Sequence, residues 1–126
     1  MKMKELFDRG EFVVSAEVGP PKGIHVDELV EEAKTYLKGV HAVNVTDNQS
    51  SVMRLGSLAM CKVLKDAGMD PIFQLACRDR NRIALESDLL PAHLHGFLSA
   101  VLLLLKLQIH HDRIILSFSY YICSNH

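Results

Sequence analysis

Three short, mainly apolar segments recur along the first two thirds of the chain at an almost constant interval. Val13, Val43 and Ile72 occupy near-equivalent positions in these segments and are 30 and 29 residues apart. Apolar residues at helical spacing follow each segment, which is the pattern of a strand followed by a helix. Three such units predict a parallel sheet with right-handed crossovers.

Two α/β architectures contain repeated units of this kind. An eightfold repeat closes into a barrel of about 250 residues, and an open, doubly wound sheet is the alternative. No G-x-G-x-x-G motif follows any of the three strands, which counts against a dinucleotide-binding unit. We therefore predict an α/β fold: a partial (β/α)8 TIM barrel that contains the first three βα units and continues into an atypical apolar tail.

The hydrophobic pattern also places the boundaries of the elements. Asp27 is the expected N-cap of the first helix, and Gly39 and Gly68 are the expected stops of the first and second helices. The loop at 47–50 is rich in capping side chains and is expected to start the second helix directly. The expected strands lie at 12–16, 42–46 and 71–76, and the expected helices at 27–38, 52–67 and 83–90.

Charged residues become rare after residue 90. Residues 1–90 contain 12 basic and 14 acidic residues, whereas residues 91–126 contain only Lys106, Asp112 and Arg113. This change divides the chain into a part that carries the βα units, 1–90, and a divergent tail, 91–126. The hydrophobic pattern of the tail predicts a helix over 98–109 and a strand over 114–118, and neither is accompanied by a capping box or a turn glycine.

Composition argues against several classes of protein. A net charge of −1 gives no basic surface for a nucleic acid. The N-terminus is charged and lacks the apolar core of a signal peptide. The longest apolar stretch, 100–105, is far shorter than the ~20 residues that a membrane span needs. We therefore expect a cytoplasmic protein that binds neither nucleic acid nor a membrane.

Cysteine and histidine usage predicts no metal site. The cysteines are far apart and form no C-x-x-C pair, which fits a reducing compartment; they are Cys61, Cys77 and Cys123. No carboxylate or cysteine lies at ligand spacing from the two histidine pairs, which are His93 with His95 and His110 with His111.

Polar side chains cluster at the predicted carboxyl ends of all three strands. Because these ends meet at one edge of a parallel sheet, we expect the side chains to line one mouth. The set holds carboxylates, one hydroxyl, amides and several arginines, which suits a pocket for a polar, ring-shaped, anionic ligand. Its members are Glu17, Thr46, Asp47, Gln49, Gln74 and the segment 77–82.

A purely structural interpretation of these residues stays open beside the functional one. Glu17 is then a solvated carboxylate at a strand end, and Thr46 an ordinary strand former. Asp47 and Gln49 only cap a helix, and Gln74 satisfies a neighbouring backbone group.

Three motifs at consecutive strand ends resemble one family. "SAEVGPPKG", "VNVTDNQSSVMRLGSLA" and "ACRDRNRIALESDLL" are similar, in this order, to the first third of methylenetetrahydrofolate reductase. The resemblance runs from about Lys4 to Leu90 and is nearest to the short form found beside corrinoid and iron–sulfur partners in anaerobes. It implies that residues 1–90 are the N-terminal part of a TIM-barrel reductase domain with a flavin, FAD rather than FMN, at its mouth. It also implies the reduction of 5,10-methylenetetrahydrofolate to 5-methyltetrahydrofolate with electrons from NAD(P)H or from a carrier protein.

The resemblance gives Glu17 the role of general acid. Opening the five-membered ring of the folate requires a proton on the departing nitrogen, and a carboxyl group delivers one only while it is protonated. An enclosed site that favours the protonated form is therefore expected around Glu17. Pro20 and Pro21 form a rigid exit that fixes the direction of the acid.

The resemblance assigns the flavin to the other strand ends. Thr46 matches a threonine beside the flavin ring and the nicotinamide, and Asp47 and Gln49 match positions that line the flavin. Gln74 falls where many relatives carry a histidine against the flavin.

The tail departs from the family. Relatives continue after residue 90 with a fourth apolar strand and a Gly-Asp motif that holds the flavin, and this chain has no equivalent aspartate. A truncated or frameshifted tail accounts for this difference, and the third strand is then left with an unpaired edge. Two hypotheses follow: a reductase with Glu17 as its acid, or a non-catalytic fragment that binds ligands or partners weakly and oligomerises through its apolar tail.

Overall fold

A computed structural model describes residues 3–97 and 100–103, which form a mixed α/β fold around one parallel sheet. The strand order is β1-β2-β3-β4, and two single turns of 3-10 helix, Gln49–Ser51 and Cys77–Asp79, follow β2 and β3. The helices and strands are α1 (Met3–Asp8), β1 (Ser15–Val18), α2 (Asp27–Tyr36), β2 (Ala42–Val45), α3 (Ser57–Asp66), β3 (Pro71–Ala76), α4 (Arg82–Leu94) and β4 (Ala100–Leu103). The alternation of strands and helices and the parallel pairing are confirmed, and closure into a barrel stays a prediction.

Strand register places successive side chains on two faces of the sheet. Val45 and Phe73 pack with the buried residues Met60 and Leu64 of α3 in the main core. Glu17 of β1 pairs with Asn44 of β2, and Asn44 pairs with Ile72 of β3. These three residues alternate with the core residues along their strands, so they lie on the face opposite the helices.

The first strand is shorter than its apolar pattern predicts. β1 begins at Ser15, and Phe12 is 87% exposed. Of the residues of β1 only Val18 is buried, and β1 forms an edge of the described sheet with one neighbouring strand. The position of Glu17 at the carboxyl end of β1 is confirmed.

The first two crossover helices also differ from their predicted limits. The N-cap of α2 is Val26 rather than Asp27, which lies in the first turn, where its charge still favours the helix. α3 begins at Ser57 instead of directly after the 47–50 loop. The backbone N–H of Arg54 binds the side chain of Asn48, and that of Leu55 binds the carbonyl of Pro21, so neither is free to join a helix.

The start of the tail folds as a continuation of the βα pattern. α4 passes through Pro91 and ends at Leu94, and Gly96 (φ 71°) forms the turn after it. β4 then pairs with β3 in parallel, with Phe73 opposite Ala100. Three expectations are therefore wrong: a helix at 100–103, a tail without a turn glycine and an unpaired edge on β3.

A continuous apolar run fits a buried strand as well as a helix, and pairing with β3 decides between them. The rest of the predicted helix at 98–109, the strand at 114–118, His110, His111 and Cys123 lie outside the described residues. Within the described ranges, no helix is long and apolar enough to cross a membrane.

We expect Gly96→Ala to destabilise the fold by about 1–2 kcal/mol, the cost of placing an L side chain in the left-handed region. Its Cβ atom would also lie 3.0 Å from Nζ of Lys65, which donates a hydrogen bond to the Gly96 carbonyl. Urea unfolding measures the loss. Gly23→Ala is the control, since a Cβ atom there meets no atom within 4 Å. Equal stability of the two variants would contradict a structural role for the Gly96 turn.

Candidate active site at the carboxyl edge of the sheet

A cavity of about 370 Å³ opens at the carboxyl ends of β1, β2 and β3. The five residues that the sequence singled out individually all line it, whereas only Arg78 of the predicted segment 77–82 does. A second cavity lies at the opposite end of the strands, and its lining residues, which fall between Ala33 and Asp70 in the sequence, include none of these five. The lining of the carboxyl-edge cavity is Glu17, Thr46, Asp47, Asn48, Gln49, Ser50, Gln74, Ala76 and Arg78.

Thr46 presents an unsatisfied hydroxyl to this cavity. The residue is only 4% exposed, and its backbone N–H donates to the Val18 carbonyl at 3.1 Å. Its Oγ1 is buried without a hydrogen-bond partner in the described part of the chain. A buried polar atom of this kind costs free energy unless something binds it. The hydroxyl therefore points to a ligand with a polar edge.

Gly19 leaves space beside that hydroxyl. A Cβ atom at this position would lie 3.7 Å from Oγ1 of Thr46 and 3.9 Å from Oε1 of Gln49. The two oxygens thus approach the same space above the glycine backbone. A ligand atom there has a hydroxyl and an amide within reach.

Asp47 lines the cavity, but other protein groups already bind its carboxylate. The side chain is completely buried, and Oδ2 accepts a hydrogen bond from the backbone N–H of Ala76 at 2.7 Å. Arg80 reaches both oxygens, with Nη2 donating to Oδ1 at 3.0 Å and Nη1 donating to Oδ2. The hydrogen bond to Asp47 is the main cause that raises the pKa of Arg80. The structure therefore shows Asp47 as a link between strand ends.

Glu17 lies at the rim of the cavity and is exposed. Its carboxylate makes no hydrogen bond or ion pair with any described residue. The described residues do not provide the enclosure that the resemblance implies, because only β2 flanks the strand that carries this acid.

Gln74 occupies a more protected position than Glu17. It is 7% exposed, and its backbone carbonyl accepts a 2.6 Å hydrogen bond from the hydroxyl of Ser57, the first residue of α3. Since Ser57 is itself buried, this bond fixes the start of α3 against β3 beside the cavity. Gln49, in the exposed turn after β2, is the least constrained of the predicted set.

Arg78 supplies a positive charge to the cavity wall. Its Nη2 donates to the Asn48 carbonyl at 3.1 Å and to Asp79 at 2.7 Å. The bond from Arg78 is the main cause that lowers the pKa of Asp79. The cavity thus combines a cation with hydroxyl and amide groups. Among the described residues, no group of three or more histidine, cysteine or acidic side chains is placed to hold a metal ion.

Comparison with known proteins identifies the family. The chain matches the family "Methylenetetrahydrofolate reductase" over residues 2–104, which is most of its length. The chain belongs to the methylenetetrahydrofolate reductase family. No curated protein matches it. The family match includes β4 and so continues past residue 90. The division of the chain into 1–90 and a divergent tail, 91–126, stays a prediction.

The structure adds Arg54 and Arg80 to the residues that shape the site of this family member, and neither is identified as such by the sequence. Arg54 donates to the Pro20 carbonyl at 3.0 Å, and the Leu55 N–H donates to the Pro21 carbonyl at 2.8 Å. These bonds fasten the double proline to the loop after β2. Arg80 was only one of several arginines in a polar stretch. No local signal in the sequence pairs Arg54 with Pro20 or Arg80 with Asp47, because these partners lie 34 and 33 residues away along the chain.

We expect Thr46→Val to raise the free energy of unfolding of the ligand-free protein by about 1 kcal/mol, because valine removes the buried hydroxyl and keeps the shape. Thermal or urea unfolding measures the change. Thr35→Val is the matched control, since the hydroxyl of Thr35 is exposed and bonded to the Glu31 carbonyl at 2.8 Å. A loss of stability in Thr46→Val would show that the hydroxyl has a partner within the protein.

Proposed function

We propose that this chain carries the acid-bearing and flavin-facing part of a methylenetetrahydrofolate reductase that reduces 5,10-methylenetetrahydrofolate to 5-methyltetrahydrofolate. The observation that carries the proposal is the buried, unpartnered hydroxyl of Thr46 in a cavity at the carboxyl edge of the sheet. Membership of the family supports this reaction and a folate substrate. Members of the family are generally flavin-dependent.

The chemistry of the cavity fits a flavin. The ring system of a flavin has a polar edge of nitrogen and oxygen atoms, and the Thr46 hydroxyl and the amides of Gln49 and Gln74 are suitable partners for it. When bound, the flavin supplies hydride transfer. Asp47 lines the same cavity, and its contribution is to hold the strand ends. Arg78 offers positive charge to an anionic ligand.

Glu17 is the proposed proton donor. It lies on the rim, near the end of β1, and Pro20, three residues further along the chain, is buried and held through its carbonyl by Arg54. A carboxyl group here can deliver a proton to the nitrogen that leaves when the folate ring opens. The fixed proline exit keeps the acid directed toward the same cavity that holds the flavin-facing residues.

The remaining assignments follow from the family resemblance. We propose FAD as the flavin, NAD(P)H as the electron donor and a cytoplasmic, oligomeric protein. An iron–sulfur or corrinoid protein is the proposed partner, because the resemblance is nearest to the short form of the family.

A second function, a weak ligand-binding module without catalysis, is favoured by the exposure of Glu17. A proton donor works best where water is excluded, and the described residues leave this acid open to solvent. In this case the 126-residue chain retains a partial site and depends on further protein to enclose the acid.

We expect Glu17→Gln, in a complete barrel that carries the same three motifs, to abolish folate reduction and to leave flavin reduction by the donor unchanged. The amide keeps the shape of the acid but cannot donate the proton. Stopped-flow measurement of the two half-reactions separates these effects. Glu32→Gln, on the exposed part of α2, is the control and is expected to change neither. Equal loss of both half-reactions in Glu17→Gln would assign Glu17 a structural role.

We expect the purified 126-residue chain to be colourless, to associate and to show no folate-dependent turnover. It should still bind added FAD weakly, and Thr46→Val should weaken this binding further because the ring loses a hydroxyl partner. FAD fluorescence titration and size-exclusion chromatography measure both properties. Absence of FAD binding would contradict the flavin site, and a yellow monomer that forms methyltetrahydrofolate would contradict the expected inactivity.

A further inference from the structure

We infer that Asp47 and Arg80 act together as a positioning pair, which holds Thr46 and Gln74 in place and does not itself touch the ligand. The inference rests on the proposed flavin site. It replaces a ligand-contacting role for Asp47 with an indirect one and adds Arg80, which lies outside the cavity lining, to the functional residues.

The pair joins the carboxyl ends of two strands. Asp47 directly follows Thr46 after the end of β2, and its Oδ2 accepts the N–H of Ala76, the last residue of β3. Gln74 is two residues before Ala76 and lines the same cavity. One carboxylate therefore fixes the separation between the strand end that carries the hydroxyl and the strand end that carries the amide.

Arg80 holds this carboxylate from the other side. Its guanidinium binds both oxygens of Asp47, and Nη1 also donates to the Ala76 carbonyl at 3.2 Å. Its Nε donates to Asp88 of α4 at 3.0 Å. The arginine thus connects β2, β3 and α4, and its planar, forked geometry makes this arrangement directional in a way that a lysine cannot reproduce.

The environment of the pair favours a positioning role over ligand binding. Asp47 is fully buried, and its two oxygens already accept hydrogen bonds from the Ala76 N–H and from two guanidinium nitrogens. A buried ion pair contributes little net stability, because desolvation offsets much of the attraction, but it imposes a definite geometry. Precise geometry is what a site that orients a ring between a hydroxyl and an amide requires.

A double-mutant cycle on the full chain tests the inference. The variants are Asp47→Asn, Arg80→Gln and the double variant, and the readouts are FAD affinity and the hydrogen exchange of the Ala76 amide. Each single variant is expected to weaken FAD binding by about tenfold, as misplacement of contacting groups does, and to speed exchange at Ala76. The double variant is expected to lose no more than either single variant, because both changes break the same unit.

Two controls separate positioning from general loss of stability. Arg82→Gln removes an exposed arginine that lies 3.8 Å from Glu86, and it should change neither readout. Gly96→Ala lowers stability at a residue outside the cavity lining and should leave FAD affinity unchanged at temperatures where the protein is folded. Arg80→Lys keeps the positive charge but lacks the forked guanidinium group, and it replaces Arg80→Gln in the cycle if that variant does not fold. A loss of FAD affinity in Arg80→Lys supports the inference.

The outcomes distinguish this inference from the proposed function. If Asp47→Asn weakens FAD binding while Arg80→Gln and Arg80→Lys do not, Asp47 contacts the ligand itself and the inference is overturned. Additive losses overturn it as well. If the wild-type chain binds no FAD, the proposed flavin site is wrong. In that case, faster hydrogen exchange at the Ala76 amide and a shifted Gln74 side-chain amide resonance in Arg80→Gln would still support the Asp47–Arg80 positioning pair. An unchanged exchange rate and an unchanged resonance would overturn it.

Discussion

The buried carboxylate of Asp47 joins the ends of two parallel strands at the mouth of the cavity. Parallel pairing alone brings strand ends to one edge, but it leaves the first residues after each strand free to diverge. The bonds from Asp47 to the Ala76 N–H and to Arg80 remove this freedom. The other features of the site depend on this link, since Thr46 precedes the carboxylate directly and Gln74 lies on the strand that it binds.

A second set of bonds fixes the strand end that carries the acid. The carbonyls of Pro20 and Pro21 accept bonds from Arg54 and from the Leu55 N–H, so the loop after β2 supports the exit from β1. The same loop contains Asn48, Ser50 and Ser51, which have positive φ angles, and left-handed backbone at such residues persists only where surrounding contacts hold it. The cavity wall is thus built from segments that are distant in sequence and depend on one another.

The proposed reaction requires a bound flavin and an enclosed acid, and different parts of the described chain bear on each. The proposed flavin-facing groups, Thr46 and Gln74, are buried and supported by the sheet and α3. Glu17, the proposed acid, is exposed at an edge strand. Binding and orientation therefore depend on contacts within β2 and β3, whereas enclosure of the acid depends on protein beyond β1.

The sequence by itself determined the order of the elements from β1 to α4, the parallel pairing of β1, β2 and β3, and five of the residues that line the carboxyl-edge cavity. β3 lies where its apolar run predicts, because six consecutive buried residues between Asp70 and a polar stretch allow few other structures. These five residues were predictable because strand ends in a parallel sheet meet at one edge, whichever bonds form there.

Only the tertiary structure decided the rest. The start of α3 depends on hydrogen bonds from Arg54 and Leu55 to partners outside the helix, and local propensity does not encode such partners. The run at β4 is apolar on every face, so pairing with β3, and not periodicity, makes it a strand. The role of Asp47 follows from Arg80, 33 residues away, since a side chain's hydrogen-bond partners are fixed only when folding brings distant segments into contact.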